Sequence, residues 1–205
     1  MKKIIPILVL TGLVFFAACT KSTDPAPAPP STGDPKKGSQ WTFRYTSYSE
    51  AGAVLGSIDR SFVADTATLN GTFTILLKET ISGQITLGIQ KRTDGWWWIP
   101  FPNPNASLWC KYPAVVGDQF SLNNSDYTVD VAKVMSITSS VTVPAGTFAN
   151  TYFIQMIATN NTLDDERYFT STGPILVRSG TFDPKTPPAI GMYEKQRSEL
   201  VSYTQ

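Results

Sequence analysis

Apolar residues recur at every second position along much of this chain, and that spacing limits its fold more than any other feature. In 84–90, Ile85, Leu87 and Ile89 alternate with Gln84, Thr86, Gly88 and Gln90. Tyr127, Val129 and Val131 alternate with Thr128 and Asp130. Phe73, Ile75 and Leu77 oppose Thr72, Thr74 and Lys78, with Leu76 breaking the pattern. Successive side chains of a strand point to opposite faces, so such runs place one face in a core and the other in water. One wet face suits antiparallel pairing. Turn signals separate the runs: Asn70-Gly71, Ser82-Gly83, Asp94-Gly95, Pro144-Ala145-Gly146, Asn160-Asn161 and Thr172-Gly173-Pro174.

The pattern predicts about ten strands within the stretches 40–48, 54–64, 71–80, 84–92, 96–100, 108–112, 126–135, 137–143, 147–159, 166–170, 174–182 and 192–203. No twelve-residue window carries uninterrupted apolar positions at helical spacing. The last segment, EKQRSELVSY, has helical propensity but reads as a strand because Val201-Ser202-Tyr203 ends it. FPNPNASL at 101–108 reads as a long loop within one domain, since neither side has enough strands to close a core alone. The expected fold class is therefore all-β, a single antiparallel domain over 40–205.

The first 18 residues read as an address. Lys2 and Lys3 precede an apolar run from Ile4 to Phe16, and Ala17-Ala18 follow. That is the layout of a secretory signal peptide, and the run is short for a membrane anchor. Phe16-Ala17-Ala18-Cys19 resembles the lipobox of bacterial lipoproteins, with Phe16 where Leu is usual. The resemblance implies that Cys19 becomes the first mature residue and carries acyl chains, so that the membrane is a partner through this anchor. Thr20, in place of Asp, resembles lipoproteins sent on to the outer membrane; whether the domain faces the periplasm or the cell surface is open. Residues 19–39 then form the lipidated Cys and a Pro-rich linker, with Pro25, Pro27, Pro29, Pro30 and Pro35 and no bulky apolar side chain over 20–39. Such a stretch cannot bury enough surface to fold, and at ~3.1 Å per residue it reaches roughly 60 Å when extended.

Composition removes several chemistries. The chain contains no His, which excludes the Ser-His-Asp triad, the Cys-His dyad and every imidazole metal site. The formal charge of +1 gives no footprint for nucleic acid. Loss of residues 1–18 would remove two lysines and turn that charge into −1. Only Cys110 would then remain as a thiol, expected to be a small buried hydrophobe with no intrachain disulfide partner. No catalytic-serine or nucleotide-cofactor motif is present, and no cofactor is expected: S-x-x-K, G-x-S-x-G, G-x-G-x-x-G and the P-loop are all missing.

Three local features are candidates for a site. Trp96, Trp97, Trp98 and Trp109, with Phe101 and Tyr112, concentrate large rings. On a strand, Trp96 and Trp98 share one face and Trp97 takes the other. The rings form a platform for a lipid or a sugar ring, or else are covered on both faces, by the sheet interior and by the 99–109 loop. Asn160, Asn161, Asp164, Asp165 and Glu166 gather oxygens, but the calcium-loop spacing is missing, so a solvated hairpin tip is expected and no metal site. Val63-Ala64-Asp65-Thr66-Ala67 is similar to an aspartic-protease loop but has no second loop to share the proton.

Four segments, YPAVVGDQF at 112–120, VTVPAGTFANTYFI at 141–154, ERYFTSTGPILVRS at 166–179 and SELVSY at 198–203, carry a further resemblance. The chain resembles small Gram-negative lipoproteins with an uncharacterised all-β domain, in which a VPAGTF turn precedes a long strand. Ser171-Thr172-Gly173-Pro174 stands where a glycine-x-glycine bend is more usual. The resemblance implies a curved open sheet or half-barrel, akin to periplasmic lipoprotein carriers, and brings no catalytic residues. The expectation is an envelope lipoprotein that binds or scaffolds without catalysis, with a lipid or other apolar ligand in a concave sheet. The alternatives are glycan capture by exposed aromatics and a carboxylate-based hydrolase.

Overall fold

Among the described residues all twelve elements are strands, and they join one antiparallel sheet. The computed structural model describes residues 34–102, 106–121, 129–158, 163–182 and 194–205. The expected signal segment, Cys19 and most of the expected linker lie outside the described residues. The strands are β1 (Gln40–Tyr48), β2 (Val54–Leu69), β3 (Thr72–Glu79), β4 (Ile85–Arg92), β5 (Gly95–Pro100) and β6 (Ser107–Lys111). They continue with β7 (Gln119–Phe120), β8 (Val129–Val143), β9 (Gly146–Ala158), β10 (Leu163–Thr170), β11 (Gly173–Phe182) and β12 (Gln196–Thr204). Their spatial order is β6-β5-β4-β3-β2-β1-β12-β11-β10-β9-β8-β7.

The two edge strands, β6 and β7, are consecutive in the chain. The sheet curls until these edges approach, giving a nearly closed barrel with one unsealed seam. Side chains bridge the seam: Lys111 pairs with Asp118 at 2.9 Å, and the Tyr112 and Tyr152 rings meet edge-on at 5.5 Å. The expected curved sheet thus closes further than a half-barrel. The final segment is the strand β12, as its ending suggested.

Several boundaries differ from the sequence reading: β2 runs on to Leu69 and not to 64, and β10 begins at Leu163 and not at 166. The expected break between 126–135 and 137–143 is absent: residues 129–143 form one strand, β8, whose pairing with β9 slips at Val134/Ser136, Ser136/Ser139 and Ser139/Val141. Each slip is an irregularity that bends a strand without ending it. The two-residue strand β7 was hidden because two residues show no period.

The bent β8–β9 hairpin closes one end of the barrel. Its tip carries Val141, Val143, Ala145 and Phe148 into the core, all buried. β11 pairs with β12 only from Leu176–Glu199 to Ser179–Gln196. Beyond that the tip reaches β12, where the Ala145 N–H donates to the Leu200 carbonyl at 3.0 Å. We call this the capped end. It also holds the turns 70–71 and 93–94, and the entering chain, where Asp34 pairs with Lys91 at 2.8 Å.

Leu76 breaks the alternation because the outer face of β3–β5 is itself covered. Thr74, Leu76, Gln90 and Ile99 are all buried there, and the Gln90 amide donates to Thr74 Oγ1 at 2.8 Å. Gly88 lets Phe101 fold back over them; a Cβ at Gly88 would meet Thr74 Cγ2 at 3.1 Å and the Phe101 ring at 3.4 Å.

Candidate functional site

Inside the barrel the two walls are built differently. On β8–β10 the inward residues Ala132, Val134, Ile154 and Met156 are completely buried and packed. On β1–β6 they are large rings and long aliphatics, which leave a cavity of about 280 Å³. Trp41, Phe43, Phe62, Leu77, Ile89 and Trp109 line its closed part and are buried. Tyr45, Arg60, Thr86, Ser179, Ser198 and Gln196 line it towards the other end, where exposure rises to the exposed Gln196. That open end is the mouth.

Alternation explains the lining. Trp41, Phe43 and Tyr45 stand two apart on β1, opposite Phe62, Arg60 and Ile58 of β2. Trp98 on β5 and Trp109 on β6 stack with centroids 6.0 Å apart and an interplanar angle of 25°. Offset aromatic stacks of this kind hold rings in place at low entropic cost. The Trp109 edge meets Phe169 of β10 at 5.1 Å. These two rings form the wall between this cavity and a second one of about 390 Å³ at the capped end. The second cavity lies across the seam, between Trp96, Cys110 and Tyr112 on one side and Phe148, Asn150 and Tyr152 on the other.

The four tryptophans are therefore divided. Trp98 and Trp109 face the first cavity, and Trp96, buried, faces the second. Trp97 lies on the outer face, half-buried, with the Arg92 guanidinium 4.2 Å from its ring centroid. Its Nε1–H donates to Asp94 Oδ1 at 2.9 Å. Within 94–98 the faces fall as a strand dictates, but the rings do not assemble into one exposed platform. Sequence reasoning missed the greater part of the lining, although Trp41, Phe43 and Tyr45 carry the same period-two signal as the runs that were read.

Charge sits at the mouth. Arg60 Nε donates to Glu79 Oε1 at 2.6 Å, and its guanidinium lies 5.7 Å from both the Tyr45 and Phe62 centroids. Hydrogen bonds from Arg60 and Ser82 hold the Glu79 carboxyl below its ordinary range, and the Glu79 bond raises Arg60. Burial raises the Tyr45 phenol, against an opposing hydrogen bond with Ser198.

Among the described residues neither cavity is lined by a carboxylate, so these residues bring no carboxylate pair of the kind glycoside hydrolysis uses into either cavity. Asp65 lies exposed on β2, held below its usual range by the Thr66 N–H and by Lys37. Among the described residues no group of three or more His, Cys, Asp or Glu could hold a metal ion. Asn160 and Asn161 are outside the described residues. Asp165 and Glu166, expected on a solvated tip, are buried. Asp165 Oδ2 accepts from Arg167 at 2.6 Å, and Glu166 pairs with Arg178 at 2.7 Å. Their partners come from two residues along the strand and from the neighbouring strand, which turn a run of acids into opposed ion pairs. Cys110 is buried as expected, and burial pushes its thiol up to about 12.

Comparison of the chain with protein-family models, curated proteins and solved structures gives no match.

Proposed function

We propose that the protein is a cell-envelope lipoprotein, tethered through Cys19, whose barrel holds a small apolar or amphipathic ligand without transforming it. The observation that carries this reading is the ring-lined cavity that opens at the uncapped end. An engineered apolar cavity of ~150 Å³ takes one benzene. By that measure a cavity of about 280 Å³ takes a ligand of about eleven carbon atoms. Arg60, Gln196, Ser198 and the Tyr45 hydroxyl stand at the mouth, where a polar head would sit. The lipobox-like Phe16–Cys19 run and the Pro-rich linker support the tether.

1-Aminonaphthalene, an eleven-heavy-atom fluorophore, tests the cavity. Titration into the purified chain is expected to give saturable emission with quenching of tryptophan, and Val177→Trp, which fills the cavity from β11, is expected to abolish it. Non-saturable uptake, unchanged in Val177→Trp, would refute the cavity reading. For the tether, globomycin is expected to stop precursor processing, and normal processing in its presence would refute lipidation.

A further inference from the structure

The second cavity, at the seam, is built unlike the first. Its floor is apolar: Trp96, Cys110, Phe148 and Phe169 are buried there. Its rim is polar and neutral. Thr147, Asn150 and Ser171 are exposed on it, and Tyr112 and Tyr152 flank the opening with their rings edge-on. A bulge brings Asn150 to this rim: Ala149 and Asn150 of β9 stand opposite the single residue Ser140 of β8. Asn150 takes φ +56° there, a conformation Asn tolerates better than most side chains, and bulges of this kind re-aim a side chain. Among the described residues the one charged side chain on the lining is Lys91. Its ammonium lies 5.7 Å from the Trp96 centroid and is paired with Asp34 at 2.8 Å.

We infer that this cleft binds the end unit of a neutral oligosaccharide of N-acetylated amino sugars. A sugar ring has an apolar C–H face and an edge of hydroxyls. Aromatic rings cover such a face, and hydroxyl and amide side chains take such an edge. Thr147 and Thr170 each share one hydrogen bond, with Thr142 at 3.0 Å and with Thr172 at 2.8 Å. Those bonds hold the two hydroxyls in place and leave them capacity for a ligand. Burial raises the Tyr152 phenol, and Tyr112 and Cys110 raise it further, so it stays a donor. By the measure applied to the first cavity, about 390 Å³ takes about fifteen non-hydrogen atoms, the size of one N-acetylhexosamine. The acetamido methyl gives the floor an apolar group to bury, where a hydroxyl would lose its hydrogen bonds. A wholly apolar ligand would strip water from the Asn150 amide and the tyrosine hydroxyls and replace nothing. With Lys91 paired, no free cation calls for an anionic sugar. Trp109 and Phe169 separate this cleft from the first cavity, so the site is independent of the ligand proposed at the mouth.

Isothermal titration calorimetry of the full chain with N,N′,N″-triacetylchitotriose tests the site. Saturable binding is expected, with cellotriose, which lacks the acetamido groups, about tenfold weaker. Asn150→Gly keeps a residue suited to positive φ and removes the amide; it is expected to weaken binding about fivefold. Tyr112→Ala removes a ring that is 47% exposed and is expected to weaken binding about tenfold. Val177→Trp, which fills the first cavity, is expected to leave the affinity unchanged. Absence of saturable heat from triacetylchitotriose overturns the inference, and so does an affinity unchanged in both Asn150→Gly and Tyr112→Ala. Cellotriose binding as tightly as triacetylchitotriose overturns the amino-sugar assignment. Loss of binding in Val177→Trp would place the sugar in the first cavity and overturn the second as its site.

Discussion

Gly95 opens β5, the strand that brings Trp98 onto Trp109, and Gly95→Ala tests whether that junction is as tight as its geometry indicates. Its φ is +148°, and a Cβ built there lies 2.2 Å from the Cys110 carbonyl oxygen and 3.0 Å from Lys111 Cα, both backbone atoms of β6. Gly71 supplies the control: its φ is +77°, yet a Cβ there has nothing within 4 Å. An alanine in either conformation costs about 1 kcal/mol. At Gly95, overpacking against backbone adds about 1–3 kcal/mol more. With a urea slope of about 2 kcal/mol per M, Gly71→Ala lowers the midpoint by about 0.5 M and Gly95→Ala by about 1–2 M. The readout is tryptophan emission. β6 is an edge strand, so part of the clash can be relieved by moving it outward; that movement separates Trp109 from Trp98 and shifts native emission to the red. Equal midpoints for the two variants, with native emission unchanged, would refute the reasoning.

Three further outcomes are expected. Cys110, with its thiol at about 12, reacts with a disulfide reagent at pH 8 about a thousandfold more slowly than in the urea-unfolded chain, from thiolate fraction alone; equal rates would show the thiol exposed. For Glu194, burial raises the carboxyl, but hydrogen bonds from Arg197 and Arg178 outweigh it and hold it low. It therefore stabilises the fold above its unfolded pKa and loses that contribution as pH falls through the folded value. Glu194→Gln should cost about 1–2 kcal/mol at pH 7, and its urea midpoint should converge with that of the parent in acid; a constant gap would count against the ion pair. Gly146→Val, at φ +128° in the capping hairpin, should cost about 1 kcal/mol or more, and a neutral thermal melt would remove the turn from the argument.

The strands were legible because the alternation in Ile85–Ile89 and Phe73–Leu77 reflects one buried and one wet face. Closure was not. Nothing in the sequence of Ser107–Lys111 or Gln119–Phe120 states that these edges approach each other, since that depends on twist accumulated over twelve strands. The single strand β8 was divided at Met135-Ser136 because the pairing slips there, and a slip looks like an end when the partner strand is unknown. The candidate site was half legible. Trp96 and Trp98 were placed on one face correctly, but which face enclosed a cavity depended on β1 and β11, far away in sequence. Asp165 and Glu166 were read as solvated because their partners, Arg167 and Arg178, matter only once the register Glu166–Arg178 is known.

Strand number itself accounts for the cavity. Barrel diameter grows with the number of strands, and about eight leave an interior that side chains just fill. A barrel of twelve strands is too wide for that, so the chain must add material or leave space. It does both. The bent β8–β9 tip, fixed by the Ala145–Leu200 hydrogen bond, covers the capped end but leaves the second cavity of about 390 Å³ there, and aliphatics close-pack the β8–β10 wall. Opposite them stand Trp41, Phe43, Phe62, Trp98 and Trp109, the largest apolar side chains available, and even these leave about 280 Å³. A sequence selected only for stability would fill that space, since each unfilled cubic ångström costs about 24 cal/mol. That rate holds for an enclosed void, so for a cavity open at its mouth it is an upper bound. Retention of such a void at the one open end is what a ligand would offset, and a ligand-free chain that is markedly less stable than the chain loaded with 1-aminonaphthalene is the corresponding expectation.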